Sequence, residues 1–311
     1  MKRSFREADF DRLTALWNKC APEKYHIDAA MLRLKTVECP VFDWGASVIE
    51  EADGDILGFV SVKKSAAEIY KGPDQDVYNL SLIAYCDPQF GVDLLSDVKR
   101  TLRNRGVARL TFGTDSGHFF PGCPDDFRSL ADFLMIEGFV KSGEAVDLER
   151  DLEGYANPYA IPEDAEYRLL REDEQDKLDA FLEREFPGRW HYDVLDKISA
   201  DGVESCFALF RDGQIDGFAM IQDWTHTKPT GGAVWRVALG DKWGSLGPIG
   251  VSADLRGKGY GHALLGQALS ELRDRKVRQC IIDWTGLVDF YGKHGFVPTR
   301  KYHYMSLALG D

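Results

Sequence analysis

Arg256-Gly257-Lys258-Gly259-Tyr260-Gly261 is the run of this chain whose residue types and spacing bear most directly on chemistry. Its glycines alternate with longer side chains, so the main chain can approach a ligand closely at every second position. An apolar stretch, Leu246 to Val251, precedes it. Ala263, Leu264, Leu265, Ala268, Leu269 and Leu272 follow it and share one face of a helix. Strand, glycine-rich turn and helix in that order leave backbone N–H groups at a positive helix end, which suits a phosphate or diphosphate. Glycines after a strand are often no more than a tight connection, so the run needs a second signal. A P-loop requires Ser or Thr after Gly-Lys, and Gly259 stands there. A dinucleotide fingerprint needs wider glycine spacing, but Asp283 lies near the acid it wants at the end of the next strand. A doubly wound nucleotide binder therefore stays as an alternative.

The segments on either side of the loop carry that second signal. Val251-Ser252-Ala253 closes the apolar strand, and Arg256-x-x-Gly259-x-Gly261 follows; after a helix and a further strand comes Phe290-Tyr291-Gly292-Lys293-His294-Gly295-Phe296. These two elements, in this order, resemble the acetyl-CoA site of the GCN5-related N-acetyltransferases (GNAT). That family carries Arg or Gln, two residues, Gly, one residue, then Gly or Ala, after a strand ending Val-x-Pro or Val-x-Ala.

The remainder of the chain reads as two copies of one plan. In the first, a short strand at Ser4–Arg6 is followed by a helical pattern through Phe10, Leu13, Leu16 and Trp17. Strands are expected at 46–50 and 56–62, joined by Asp53-Gly54-Asp55, and at 80–84. A helix over 92–104 closed by Gly106, a strand at 108–113 and a helical piece ending Gly138-Phe139 complete it. In the second, a strand at 167–170, a helix at 175–186 and a hairpin of 206–211 with 215–222 around Asp212-Gly213 lead into the glycine run. Leu264-Leu265 answers Leu94-Leu95, and Phe290-Tyr291 through Gly295-Phe296 answers Phe133-Leu134 through Gly138-Phe139. The expected fold class is α/β, a mixed α+β sheet in two tandem GNAT-like copies. The boundaries read as 1–150 for a degenerate first domain, 151–165 for a linker interrupted by Gly154, Pro158 and Pro162, and 166–311 for the catalytic domain. The first copy is degenerate because Asp87-Pro88-Gln89-Phe90-Gly91-Val92-Asp93 keeps one glycine, and Leu134 stands where the second copy has Tyr291. His118-Phe119-Phe120-Pro121-Gly122 stands apart, its Phe pair expected to pack between domains.

Composition bounds the partners. The chain has 311 residues, 44% of them hydrophobic, and a formal net charge of −13. That balance argues against nucleic acid or an anionic membrane surface as the main partner and is compatible with a cationic amine. The start, MKRSFREADFDRLTALW, has no long apolar core, no stretch approaches a membrane span, and the six cysteines form no C-x-x-C pair. A cytoplasmic protein with reduced thiols and no metal site is the expectation, as a monomer or homodimer.

The resemblance implies the rest. The strand 246–251 would lie along the pantetheine arm of acetyl-CoA and bond it through Ile249, Gly250 and Val251, as an added strand does. Pro248, having no N–H, would sit at an irregular point of that strand, which in this family bulges and splays from its neighbour. Arg256, Gly257, Lys258, Gly259, Tyr260 and Gly261 would take the diphosphate, with His262 and Ala263 at the helix start. Tyr291 would be the general acid toward the departing sulfur, since a phenol titrates at about 10 and stays protonated near neutral pH. The sequence departs from the family at Trp284, where many members have a cofactor-contacting Asn, and it lacks the Glu that some members use as a base. Asp283, Asp223 and His226 are the candidates to accept the amine proton. Trp224, Trp235 and Trp284, near strand ends, would rim an acceptor groove, and aromatic planes beside carboxylates suit an amino sugar. Short phrases (His118-Phe-Phe-Pro-Gly, Phe186-Pro-Gly-Arg-Trp190, Asp283-Trp-Thr) resemble tandem members that acetylate glucosamine and glucosaminides. Another small amine (an aminoglycoside or polyamine), a protein N-terminus, or a non-catalytic CoA-binding sensor remain open readings.

Overall fold

A computed structural model describes residues 1–64, 77–229 and 231–310. The described residues fall into two compact units, one made of those up to Val146 together with Arg300 onward, the other of Asp147–Thr299.

The first unit carries β1 (Lys2–Arg3), β2 (Val48–Ala52), β3 (Asp55–Lys64), β4 (Val77–Tyr85), β5 (Arg109–Phe112) and the short β6 (Cys123–Pro124). β7 (Val140–Asp151) contributes residues to both units. The second unit continues with β8 (Glu166–Leu169), β9 (Cys206–Arg211), β10 (Gln214–Asp223), β11 (Trp243–Val251) and β12 (Gln279–Thr285), and β13 (Val297–Ala308) ends the chain. In the second unit the sheet order is β7-β12-β11-β10-β9-β8. Its hairpin β9–β10 turns at Asp212 (φ 49°) and Gly213 (φ 73°), the two positive φ angles that a tight primed turn requires. The first unit repeats this with Asp53 (φ 51°) and Gly54 (φ 84°) between β2 and β3.

Helices Gln175–Glu185 and Arg189–Asp201 bury Leu178, Phe181, Leu182, Val194 and Ile198 against Phe218 and Met220 of β10. The helix Tyr260–Asp274 buries the six apolar residues that the spacing assigns to one face, its leucines contributing roughly 1.5–3 kcal/mol of transfer free energy apiece.

Three expectations change. Residues 151–165 do not bridge loosely: Leu152 and Tyr155 are buried, and the Asn157 amide lies against Gly266, at 2.0 Å from where a Cβ would stand. The second unit thus begins before the expected linker. The last residues also belong elsewhere than 166–311 implies, since Met305–Ala308 of β13 pair antiparallel with Phe112–Arg109 of β5 in the first unit. Phe119 and Phe120 pack inside the first unit's own aromatic core, their ring centroids 5.6 and 5.8 Å from that of Trp17. The helix Arg189–Asp201 and the strands β7 and β13 were not read from the sequence.

Candidate active site

The glycine run takes the shape its spacing implies. A short 3-10 turn, Ala253–Leu255, leads into Gly257 (φ 74°) and Gly259 (φ 94°), and Gly259 is the N-cap of the helix Tyr260–Asp274. No side chain caps that helix, so its first N–H groups remain for an outside acceptor. A Cβ at Gly257 or Gly259 would meet nothing within 4 Å. The protein itself does not demand glycine there for space; a bare, open main chain at a positive helix end fits a diphosphate. Arg256 and Lys258 are exposed beside it. The Tyr260 hydroxyl turns away and donates to the Asp164 carboxylate at 2.8 Å, so Tyr260 offers the ligand its backbone.

Behind the loop, β11 parts from β12. Their parallel register runs Trp243↔Gln279, Gly244↔Cys280 and Ser245↔Ile281 and ends there. β11 is buried through Leu246 and half-buried from Gly247 to Val251, which marks where its neighbour leaves. On the other edge, Ala219 pairs with Ile249 and Ile221 with Leu246, so Met220 faces both Gly247 and Pro248. The bulge falls at Pro248, which has no N–H to lose from the ladder. Ile249, Gly250 and Val251 thus lie on the freed half of the strand, with the Phe186 ring covering Gly250.

Asp283 and Tyr291 meet at the start of this gap. The Asp283 carboxylate is 3.9 Å from where a Cβ on Gly247 would stand, and closer still to Gly231. Tyr291, from the short helix Val288–Gly292, is buried, and among the described residues its hydroxyl has no hydrogen-bond partner. Burial first, and the negative charge of Asp283 second, hold its phenol well above the ordinary tyrosine value. Trp284 stands next to Asp283 with φ 47°.

His262 and Ala263 lie in the first helical turn, but the His262 ring is not turned to a ligand. It is stacked between Tyr159 (4.3 Å) and Phe290 (4.5 Å), and its Nδ1 is 3.1 Å from His294 Nε2. His294 is buried with Nδ1 2.9 Å from the Tyr155 hydroxyl, and burial, then His262 and Arg150, push it down to about 4. The pKa of His262 is likewise lowered, by burial first and Lys293 second.

The remaining candidates are placed elsewhere. Asp223 pairs in register with Gly244, where β11 and β12 are still bonded, and accepts from Thr225 N (2.9 Å) and Thr225 Oγ1 (2.5 Å) with Arg275 at 3.4 Å. His226 folds back on the same turn, 3.3 Å from Asp223. Trp224 lies under the Lys242 ammonium (3.8 Å), and Trp235 is a buried core residue. Of the acid–base and tryptophan candidates, Asp283, Trp284 and Tyr291 gather at the gap. Sequence reasoning missed Gly247, Arg189 and Phe186 as shapers of the gap. The signal was present in Gly188-Arg189-Trp190, a glycine followed by Trp190, Val194 and Ile198 at helical spacing.

The first unit has the same parts, closed. Asp87 caps the helix Pro88–Asn104 by accepting from Gln89 N at 2.9 Å, Pro88 has no N–H, and the Tyr85 ring fills the space beside Gly91 (2.6 Å from a Cβ). Of the donors at that helix start, the Gln89 N–H is thus bonded internally and Pro88 offers none.

Comparison with known proteins agrees with this geometry. Residues 167–296, most of the second unit, match the model of the acetyltransferase (GNAT) family. No curated protein matches the sequence. Among solved structures, the whole fold is similar to a GCN5-related glucosamine N-acetyltransferase region of a fungal multi-domain GH3 β-N-acetylglucosaminidase, with TM-score 0.80 and 21% identity. That match covers 99% of this chain and 38% of the fungal one, so this chain spans well under half of that relative's length. A GCN5-related N-acetyltransferase from Sphaerobacter thermophilus has TM-score 0.73 at 15% identity, covering 100% of this chain and 96% of its own. A tandem GNAT protein from the clavulanic acid biosynthesis pathway has TM-score 0.70 at 12% identity, covering 100% and 99%. At these identities the likeness shows the tandem GNAT fold. No described helix is long and apolar enough to cross a membrane.

Proposed function

We propose that the second unit transfers an acetyl group from acetyl-CoA to a primary amine of a small molecule, with an amino sugar such as glucosamine as the leading acceptor. The observation that carries this is the gap between β11 and β12, open at one end to an uncapped helix N-terminus and lined at the other by Asp283 and Tyr291. Acetyl-CoA supplies the acetyl carbon as a thioester. The exposed amides after Gly259, with Arg256 and Lys258 nearby, hold the diphosphate, and the freed edge of β11 (Ile249 to Val251) lines the pantetheine arm.

The residues at the gap then divide the proton work. The amine nitrogen forms the new bond to the acetyl carbon as the carbon–sulfur bond breaks. The Asp283 carboxylate accepts the proton the nitrogen must lose, and the Tyr291 hydroxyl donates to the departing sulfur. With its pKa raised, Tyr291 stays protonated near neutral pH and donates a hydrogen bond to the developing thiolate. Asp223 and His226 are not assigned a proton-transfer role, because Asp223 lies opposite Gly244, where β11 and β12 are still paired.

The amino-sugar reading is supported by Trp284 beside Asp283, and by the fold shared with the fungal glucosamine N-acetyltransferase region. Thiol release measured with acetyl-CoA and a panel of amines tests it: turnover with glucosamine and none with spermidine is the expected pattern. Turnover with spermidine alone would move the acceptor to polyamines. Binding of CoA without turnover on any amine would leave a CoA sensor.

A further inference from the structure

Trp284 occupies a backbone conformation that its side chain should avoid. Its φ of 47° is in the left-handed region, where a bulky residue is an outlier costing of order 1–3 kcal/mol. The first unit shows that the fold imposes this conformation: Thr114, two residues beyond the end of β5, has φ 63°. Glycine or asparagine would satisfy it at little cost. The backbone therefore does not explain the tryptophan, and its side chain must.

Asp147 and Arg189 both hold it in place. The Trp284 N–H donates to Asp147 Oδ1 at 3.1 Å, and Asp147 is fully buried. The Arg189 guanidinium lies over the indole, 4.7 Å from the ring, and is itself tied to Asp193 at 3.1 Å. Arg189 opens the helix Arg189–Asp201, just after Phe186, whose ring covers Gly250. The segment 186–190 thus touches β11 at Gly250 and the end of β12 at Trp284, flanking the gap from both strands. The indole is only half-buried and sits one residue from Asp283.

We infer that Trp284 is a specificity-determining residue for the acceptor, presenting an aromatic face to a ring with apolar C–H surfaces, and that Arg189 is the positioning residue that braces it. This rests on the acetyltransferase reading above. The strain is kept because a flat aromatic surface beside the reacting groups binds the acceptor, while Gly or Asn would only relax the turn.

The test compares Trp284→Gly, Trp284→Asn, Arg189→Ala and Arg189→Lys with the wild-type full chain. It reads acceptor KM and kcat with glucosamine, CoA affinity by calorimetry, and Tm. Trp284→Gly and Trp284→Asn should raise acceptor KM about tenfold, with CoA affinity kept and Tm unchanged or higher. Arg189→Ala should raise KM in the same direction, and Arg189→Lys, which keeps a cation over the ring, should recover most of the loss. A wild-type KM in Trp284→Gly, or a fall in Tm and kcat with KM intact, overturns this inference alone. Absence of turnover by the wild type with every amine in the panel removes the acetyltransferase reading and this inference with it.

Discussion

Tyr291 is a buried residue beside Asp283, and no hydrogen bond of its hydroxyl is seen among the described residues. Tyr291→Phe removes only the donor, so CoA affinity should survive while kcat falls about a hundredfold, read by calorimetry and by thiol release at saturating acceptor. An equal loss of affinity would mean that the ring, not the hydroxyl, matters. His294 makes a different kind of prediction. Its pKa in the fold is about 4, below the ordinary histidine value, because burial and its neighbours His262 and Arg150 disfavour the cation. Between the two values the unfolded chain binds a proton that the fold refuses, so stability falls as pH drops from about 6.5 toward 4 and then levels off. Denaturant unfolding across that window should show a slope of at most about 1.4 kcal/mol per pH unit from this group, absent in His294→Gln.

Elements position these residues, and they differ in how plainly the sequence declared them. β9 was legible as an unbroken apolar run, the helix Tyr260–Asp274 because its apolar positions follow a single period, and the Asp212-Gly213 turn announces its own geometry. The loop at Gly257 and Gly259 was legible through spacing, and the bulge through Pro248. The positive φ of Trp284 was not, since nothing in an isolated Asp-Trp-Thr phrase tells which neighbours will hold it. Asp223 and His226 misled for the same reason: a short polar turn satisfies them locally, which sequence distance alone cannot distinguish from a role at the gap. The segment 151–165 looked like a linker because its prolines break periodicity, although contacts of Tyr155, Asn157 and Tyr159 fix it. Gly266→Ala would push a methyl into Asn157, so it should lower stability by about 1–3 kcal/mol in chemical denaturation. Proteolysis should spare the segment in the wild type and cut it in the variant.

At the scale of the whole molecule, two copies of one fold carry one open site and one closed site. Asp87, Pro88 and Tyr85 fill in the first unit the place that in the second is an uncapped helix start. The chain ends are also exchanged relative to a simple division at the midpoint, because Arg300 onward completes the first unit. Removing residues 300–311 strips β5 of its partner Met305–Ala308 and exposes the edge. Hydrogen exchange should then accelerate at Arg109–Phe112, while the helix Tyr260–Asp274 keeps its protection; uniform acceleration would mean that the two units do not unfold separately.

Calorimetric titration of CoA into the full chain and into Gly259→Val is the most direct measurement. Gly259 has φ 94° and open space beyond it, so the valine should cost only about 1–3 kcal/mol of backbone strain while standing where the diphosphate must approach. One site per chain, lost in the variant with its fold intact, is the predicted result. Two sites, none, or undiminished binding by Gly259→Val would contradict a diphosphate held at the start of that helix.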